Sequence, residues 1–257
     1  MLLPHLRGRP FTIKQHYTVP RGPFRWIKDA PPEAPSWLRV SPQPARSRGG
    51  GLVRYPLVNV VRSLLWVVEF GAVDLHVWSS RADRPDRPDF ALFDLDPAGV
   101  SFADVARTSL LVCDALAALG LEGVPLTTGG EGMHVRVPIR RVHTHEETRR
   151  FVQIVGRALV RASDGLVTTE RRRERRHGVF LDAKMNGHGQ QLVAPYSVRP
   201  LPGAPVATPL RWDEVDERID PRAFTPSAVL DRVRRDGDLA AALLRGRQHL
   251  GKAMGAV

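Results

Sequence analysis

The chain has a single cysteine, Cys113, in 257 residues. That excludes an intramolecular disulfide and any zinc site built on cysteine pairs, and leaves the thiol as a small buried hydrophobe in a helical apolar stretch. Long apolar runs are also missing: none reaches the ~18 to 20 residues that a membrane-crossing helix needs. The N-terminus lacks the charged start, apolar run and small-residue cleavage site of a secretory signal. The expectation is a cytoplasmic, nucleoid-associated protein without a membrane partner. An excess of negative charge is absent too. Lys plus Arg number 38 against 27 Asp plus Glu, for a net charge of +11. Such a balance favours a polyanionic partner, although an Arg-rich composition throughout would also account for it. With 42% hydrophobic and 25% charged residues, the chain has the composition of an ordinary globular protein, long enough for one large domain or two small ones.

Residues 1–50 are rich in Pro, Arg and aromatics and read as a small irregular module with short strands such as 11–14, ending in a loose stretch over 42–51. An opening that resembles the end of a helix suggests a domain trimmed at its start. The spacing then predicts a helix over 57–70 closed by Gly71, a strand over 73–78, a polar turn over 81–89 and an apolar strand from Phe90. Ser101 with Asp104 forms a capping box for a helix ending at Gly120, and Thr144 with Glu147 caps another running to about Ala162. Strands are expected at 133–139, 179–182 and 192–193. A Pro-rich connector over 200–209 leads to a short helix start at Trp212 and a last helix with Thr225 as N-cap and Pro226 at N1. The alternation is mixed α/β. The expected division is one domain over 1–257: the module over 1–50, a catalytic core over 51–226 and a C-terminal helix over 227–257.

The chemistry starts at Phe90-Ala91-Leu92-Phe93-Asp94-Leu95-Asp96-Pro97. A strand repeats its side-chain direction every second residue, so Asp94 and Asp96 share a face and Phe93 and Leu95 take the other. Two carboxylates this close repel one another, and a divalent cation with oxygen ligands is a common way to keep both ionised. A solvated strand end before a turn is the plainer alternative. Thr128-Gly129-Gly130-Glu131-Gly132-Met133-His134 is a glycine-rich loop whose amides can converge on an anion, with a hydroxyl from Thr128 and an imidazole from His134. It could equally be a tight turn. A further apolar strand ends at Asp182, Arg199 could grip a phosphate, and the arginine run over 171–176 reads as a solvated hairpin with a possible backbone contact to nucleic acid.

In this order, Asp94-Leu95-Asp96, Thr128 to His134 and Phe180-Leu181-Asp182 resemble the three catalytic motifs of the archaeo-eukaryotic primase superfamily. Asp74-Leu75-His76-Val77-Trp78 and Ala194-Pro195-Tyr196-Ser197-Val198-Arg199 are similar, more narrowly, to the polymerase domain of bacterial ligase D. The resemblance implies a primase-like core of mixed sheets flanked by helices, and a DNA-dependent nucleotidyltransferase that extends primers with NTPs or dNTPs in non-homologous end joining. It implies that Asp94, Asp96 and Asp182 hold two Mn²⁺ or Mg²⁺ ions. His76, Thr128, Gly129, Gly130, Gly132, His134, Arg199 and Lys14 would hold the nucleotide, and Trp26 and Lys28 the DNA. Implied partners are primer–template DNA with gapped or broken ends, and end-joining proteins such as Ku and a DNA ligase. The chain departs from the family pattern at Glu131, where a lysine is usual. Two alternatives stand beside this reading. One is a catalytically weak DNA-binding or end-bridging module. The other is a haloacid-dehalogenase-type phosphatase, disfavoured by Pro97 after the second aspartate.

Overall fold

The computed structural model describes residues 1–17, 22–45, 50–251 and 255. The N-terminal part runs α1 (Leu2–Leu6), β1 (Phe11–His16), β2 (Phe24–Ile27), β3 (Val40–Pro44), β4 (Leu52–Pro56) and α2 (Val61–Glu69). Next come β5 (His76–Val77), β6 (Ser80–Arg81), β7 (Arg84–Pro88), β8 (Phe90–Ala98), α3 (Phe102–Ala118), β9 (Val124–Thr127) and β10 (Met133–Pro138). The chain closes with α4 (His145–Ala162), β11 (Val167–Thr168), β12 (Gly178–Leu181), β13 (Leu192–Val193) and α5 (Pro226–Asp236), with short 3₁₀ turns between.

Period-two alternation along β8 organises the molecule. Ala91, Phe93 and Leu95 are fully buried against α3 and α4, where Phe93 meets Phe151 edge to face. Phe90 and Leu92 turn the other way, toward Leu192 of β13. With both faces covered, β8 is the middle strand of a five-stranded mixed sheet of order β11-β12-β8-β10-β9. A second sheet of order β13-β5-β1-β2 has its own apolar cluster, including Leu6, Phe11, Ile13 and Val67. The helices begin where their caps predict: Ser101 accepts from the Asp104 amide, Thr144 from that of Glu147, and Thr225 from that of Ala228.

Several expectations are corrected. The stretch 1–50, expected as a small irregular module within one domain, carries α1 and β1 to β3. Strand β1 pairs antiparallel with β5, so the N-terminal segment shares a sheet with residues read as catalytic core. Of the loose stretch 42–51, residues 46–49 lie outside the described residues. The polar turn over 81–89 is a hairpin, β6 with β7. The arginine run is no hairpin, because β11 and β12 on either side of it run parallel. α5 stops at Asp236, where Gly237 takes a φ of 71°, so the helix expected over 227–257 is interrupted there; residues 252–254, 256 and 257 of that span lie outside the described residues. Cys113 is half-buried on α3 rather than fully enclosed.

Candidate active site

Antiparallel pairing brings the acidic motifs together. β12 lies against β8 with Phe180 opposite Asp96 and Leu181 opposite Leu95, and one residue further the Asp182 amide donates to the Asp94 carbonyl at 2.9 Å. Asp94 is nearly buried, Asp182 half-buried and Asp96 open to solvent. Burial of its inner side, then the charges of Asp94 and Asp182, push the Asp96 carboxyl up to about 7, with Arg176 pulling the other way. Asp94, Asp96 and Asp182 thus converge as three carboxylates at one strand junction. An oxygen-only, like-charged donor set of this kind suits a hard divalent cation. Among the described residues, no three His, Cys, Asp or Glu side chains stand at the spacing of a formed metal cage. The Asp182 side chain caps the next turn by accepting from the Lys184 amide at 2.9 Å.

Asp94, Asp96 and the glycine loop line a cleft of about 720 Å³ between the two sheets. The loop needs its glycines for close approach. A Cβ at Gly132 would fall 2.6 Å from the Leu95 carbonyl and 2.9 Å from Asp96 Oδ1, and one at Gly129, whose φ is +69°, would fall 2.6 Å from Arg199 Cγ. Thr128 uses its hydroxyl inside the loop, donating to the Gly132 carbonyl at 3.0 Å and accepting from the Gly130 amide at 3.2 Å. Gly130, Gly132 and Thr128 face the cleft; Gly129 packs behind it.

His134 is already engaged on both ring nitrogens. Nδ1 accepts from the guanidinium of the fully buried Arg136 at 3.1 Å, which leaves the proton on Nε2, 3.0 Å from Asp94 Oδ1. Burial holds this imidazole below its ordinary pKa despite Asp94, so it serves as a neutral donor. Its first partner is thus the carboxylate rather than a phosphate.

On the opposite wall, Asp74 is completely buried and gathers the basic groups. It accepts from Lys14 Nζ at 2.8 Å, lies 2.8 Å from His16 Nε2 and 3.1 Å from His76 Nε2, and has Arg199 Nε at 3.8 Å. Burial alone would raise this carboxyl, but bonds and charge from His76 and Lys14 outweigh it and hold Asp74 well below the usual carboxylate range. Burial also lowers the His76 pKa. At neutral pH, therefore, His76 gives Asp74 a hydrogen bond and Lys14 gives it charge. His76 and Arg199 line the cleft; Lys14 stands one layer behind, with Nζ 4.3 Å from the Phe24 ring centroid. Arg199 also donates to the Thr128 carbonyl at 2.8 Å, joining this wall to the loop. Trp26, 43% exposed, sets its ring edge to face against His76 at 5.1 Å, and with Lys28 it lines a neighbouring cleft.

Four participants had no site role in the sequence reading, although Asp74 stood in a quoted motif and Arg173 and Arg176 in the arginine run given a possible contact with nucleic acid. Asp74 lies in the bend just before β5, two residues ahead of His76, so strand alternation could not have assigned its partners. Arg136, two residues after His134 on β10, shares its strand face. Arg173 and Arg176 reach the cleft from the arginine run, Arg176 over the Phe180 ring at 3.6 Å.

Residues 1–240 match the family model described as LigD, primase-polymerase domain. A multifunctional non-homologous end joining protein LigD of Mycobacterium bovis is 32% identical over 251 residues, covering 93% of this chain and 32% of the relative. A bifunctional LigD of Bacillus subtilis is 28% identical over 239 residues, covering 92% of this chain and 38% of the relative. The chain thus spans about a third of the length of these relatives. Among solved structures, the polymerase domain of Mycobacterium tuberculosis ligase D in complex with DNA superposes with a TM-score of 0.86 at 29% identity, covering 95% of this chain and 87% of that one.

Proposed function

Because the chain belongs to the LigD primase-polymerase domain family, we propose that it is a template-directed nucleotidyltransferase that adds NTPs or dNTPs to a DNA primer at gapped or broken ends during end joining. The observation that carries this reading is the junction of Asp94, Asp96 and Asp182 beside a cleft walled by His76, Thr128, His134 and Arg199. Asp94, Asp96 and Asp182 would hold Mn²⁺ or Mg²⁺, which when bound would supply Lewis-acid stabilisation of the attacking and leaving oxygens. The remaining work falls to the chain's own groups. Arg199, tied to the loop through Thr128, supplies positive charge where pyrophosphate leaves, with the loop amides beside it. His134 orients Asp94. Trp26 offers a ring on which a template base can stack whatever its identity. Ku and a DNA ligase acting at the same break are the protein partners this role calls for.

Primer extension on a gapped duplex with Mn²⁺ tests the proposal. Asp94→Ala should lower the rate by at least on the order of a hundredfold, since it removes a carboxylate and releases His134. No extension by the wild type, or equal extension by the variant, would overturn it. One observation favours the weaker alternative of an end-bridging module: the loop itself brings Glu131 to the cleft wall. Retained DNA affinity without metal-dependent nucleotide binding would support that alternative. The phosphatase reading falls with the family assignment.

A further inference from the structure

At the β11 and β12 end of the central sheet, two strands away from the glycine loop, a smaller cleft of about 260 Å³ opens beside Asp182. Arg157 of α4, Arg171 after β11 and Lys184 in the turn after β12 line it, with Gln153 and Thr169 between them. α4 comes against β12 at Gly156, where a Cβ would stand 3.4 Å from both methyls of Leu181, and this sets the next residue, Arg157, at the rim. All three cations are exposed, and none has an ion pair or a side-chain hydrogen bond among the described residues. In the C-terminal part, by contrast, surface arginines are neutralised: Arg218 by Asp216 at 2.7 Å, Arg222 by Asp220 at 3.0 Å and Arg235 by Asp236 at 2.8 Å. Among the described residues, Asp182 is the one carboxylate that lines the cleft. Cations gathered without an anion repel one another, and a phosphate that accepts from a lysine and two guanidinium groups relieves that repulsion.

Strand order narrows the anion. The glycine loop, with Arg199 tied to it, joins β9 to β10, and there the polymerase reading puts the phosphates of the nucleotide. Asp182 and the small cleft lie at β12, with β8 and its two aspartates in between. In an in-line displacement the attacking oxygen stands opposite the leaving group across the reacting phosphorus. With pyrophosphate leaving toward the loop, the primer 3′-hydroxyl has to arrive from the β12 side. Phe180 lines both clefts, so one side chain separates them. We propose that the small cleft holds the backbone phosphate joining the last two nucleotides of the DNA primer, with Arg157, Arg171 and Lys184 as its partners. The inference rests on the polymerase reading above and adds which strand runs here. A phosphate fixed at this point leaves the 3′-hydroxyl one sugar away, beside Asp182, and the contact carries no base identity, as a primer of any sequence requires.

Primers with a single uncharged methylphosphonate linkage, moved stepwise back from the 3′ end, test this in steady-state extension of a gapped duplex with Mn²⁺. For the wild type, the KM for primer–template should rise roughly fivefold when the last linkage is neutral, the scale of one exposed ion pair, and less when the neutral linkage lies further back. The double variant Arg157→Gln/Lys184→Gln should raise the KM for the normal primer by a similar factor, keep the KM for the nucleotide, and lose most of the penalty for the neutral linkage. The scan with the wild type reads the same contact without any substitution. An equal response to every linkage, or a double variant that keeps the full penalty, would mean a diffuse surface charge and overturn the proposal. So would a penalty that appears only when a downstream 5′-phosphate is removed, because another strand end would then occupy the cleft. A wild type that extends no primer would instead sink the polymerase reading on which the proposal stands.

Discussion

Asp74 holds more of the site together than any residue singled out by motif. Its carboxylate is the common partner of Lys14, His16 and His76 and stands 3.8 Å from Arg199, so it fixes the positive wall of the cleft while having no surface of its own. Removing one partner of a buried charge network typically costs about 3–5 kcal/mol, because the other charges stay behind uncompensated. Asp74→Asn should lower stability on that scale in urea unfolding and raise the KM for nucleotide more than it lowers kcat. The pH dependence follows from the depressed carboxyl. A carboxylate whose folded pKa lies below its unfolded value contributes stability that is fully present above about pH 4 and lost as pH falls through the folded value. The wild type should therefore lose stability more steeply than Asp74→Asn on acidification below about pH 4. Parallel curves there would refute the assignment.

At the scale of elements, β8 and the glycine loop were legible because their signals are local. Alternation, the stop at Pro97 and the clustered glycines can all be read within ten residues, as can the caps at Ser101, Thr144 and Thr225. β9 escaped because Pro125 sits inside Val124–Thr127 and argues against a strand; as the edge of its sheet, that strand tolerates a residue with no amide to donate. The pairings of β1 with β5 and of β12 with β8 escaped for a different reason: no local pattern specifies which distant strand becomes a neighbour. The position of Asp182 could be expected only through the resemblance, and Lys14 drawn back onto Asp74, sixty residues away, not at all. The loop yields its own prediction. Gly132→Ala must push against a main-chain carbonyl at 2.6 Å, so the loop, not a flexible side chain, has to give. The expected cost is about 1–3 kcal/mol, with nucleotide addition falling while circular dichroism stays native. Wild-type extension by Gly132→Ala would show that the close approach is dispensable.

Across the whole molecule, the net charge of +11 is what the sequence alone read most easily and interpreted least. Part of it is internal: the buried Arg136 spends its guanidinium on His134 and the Val193 carbonyl. The remainder supplies a salt-dependent, sequence-independent attraction to DNA. Between 50 and 200 mM salt the affinity for duplex DNA should fall by roughly ten- to a thousandfold, log-linear in salt, if about two to five phosphates are neutralised. Fluorescence anisotropy at four or five salt concentrations checks this, and a flat dependence would mean that the surface arginines are spent on their acidic neighbours.

Strand β1 lies between β5 and β2 rather than at the margin of its sheet. A protein engineer wishing to shorten this chain therefore has less freedom than the order of its motifs suggests. Cutting ahead of residue 17 would spare every aspartate and the whole glycine loop, yet it would strip the strand that carries His76 of a neighbour, detach β2 with Trp26, and leave an unpaired edge prone to association. The N-terminal strand is thus indispensable through what it props up rather than through any group that touches a substrate.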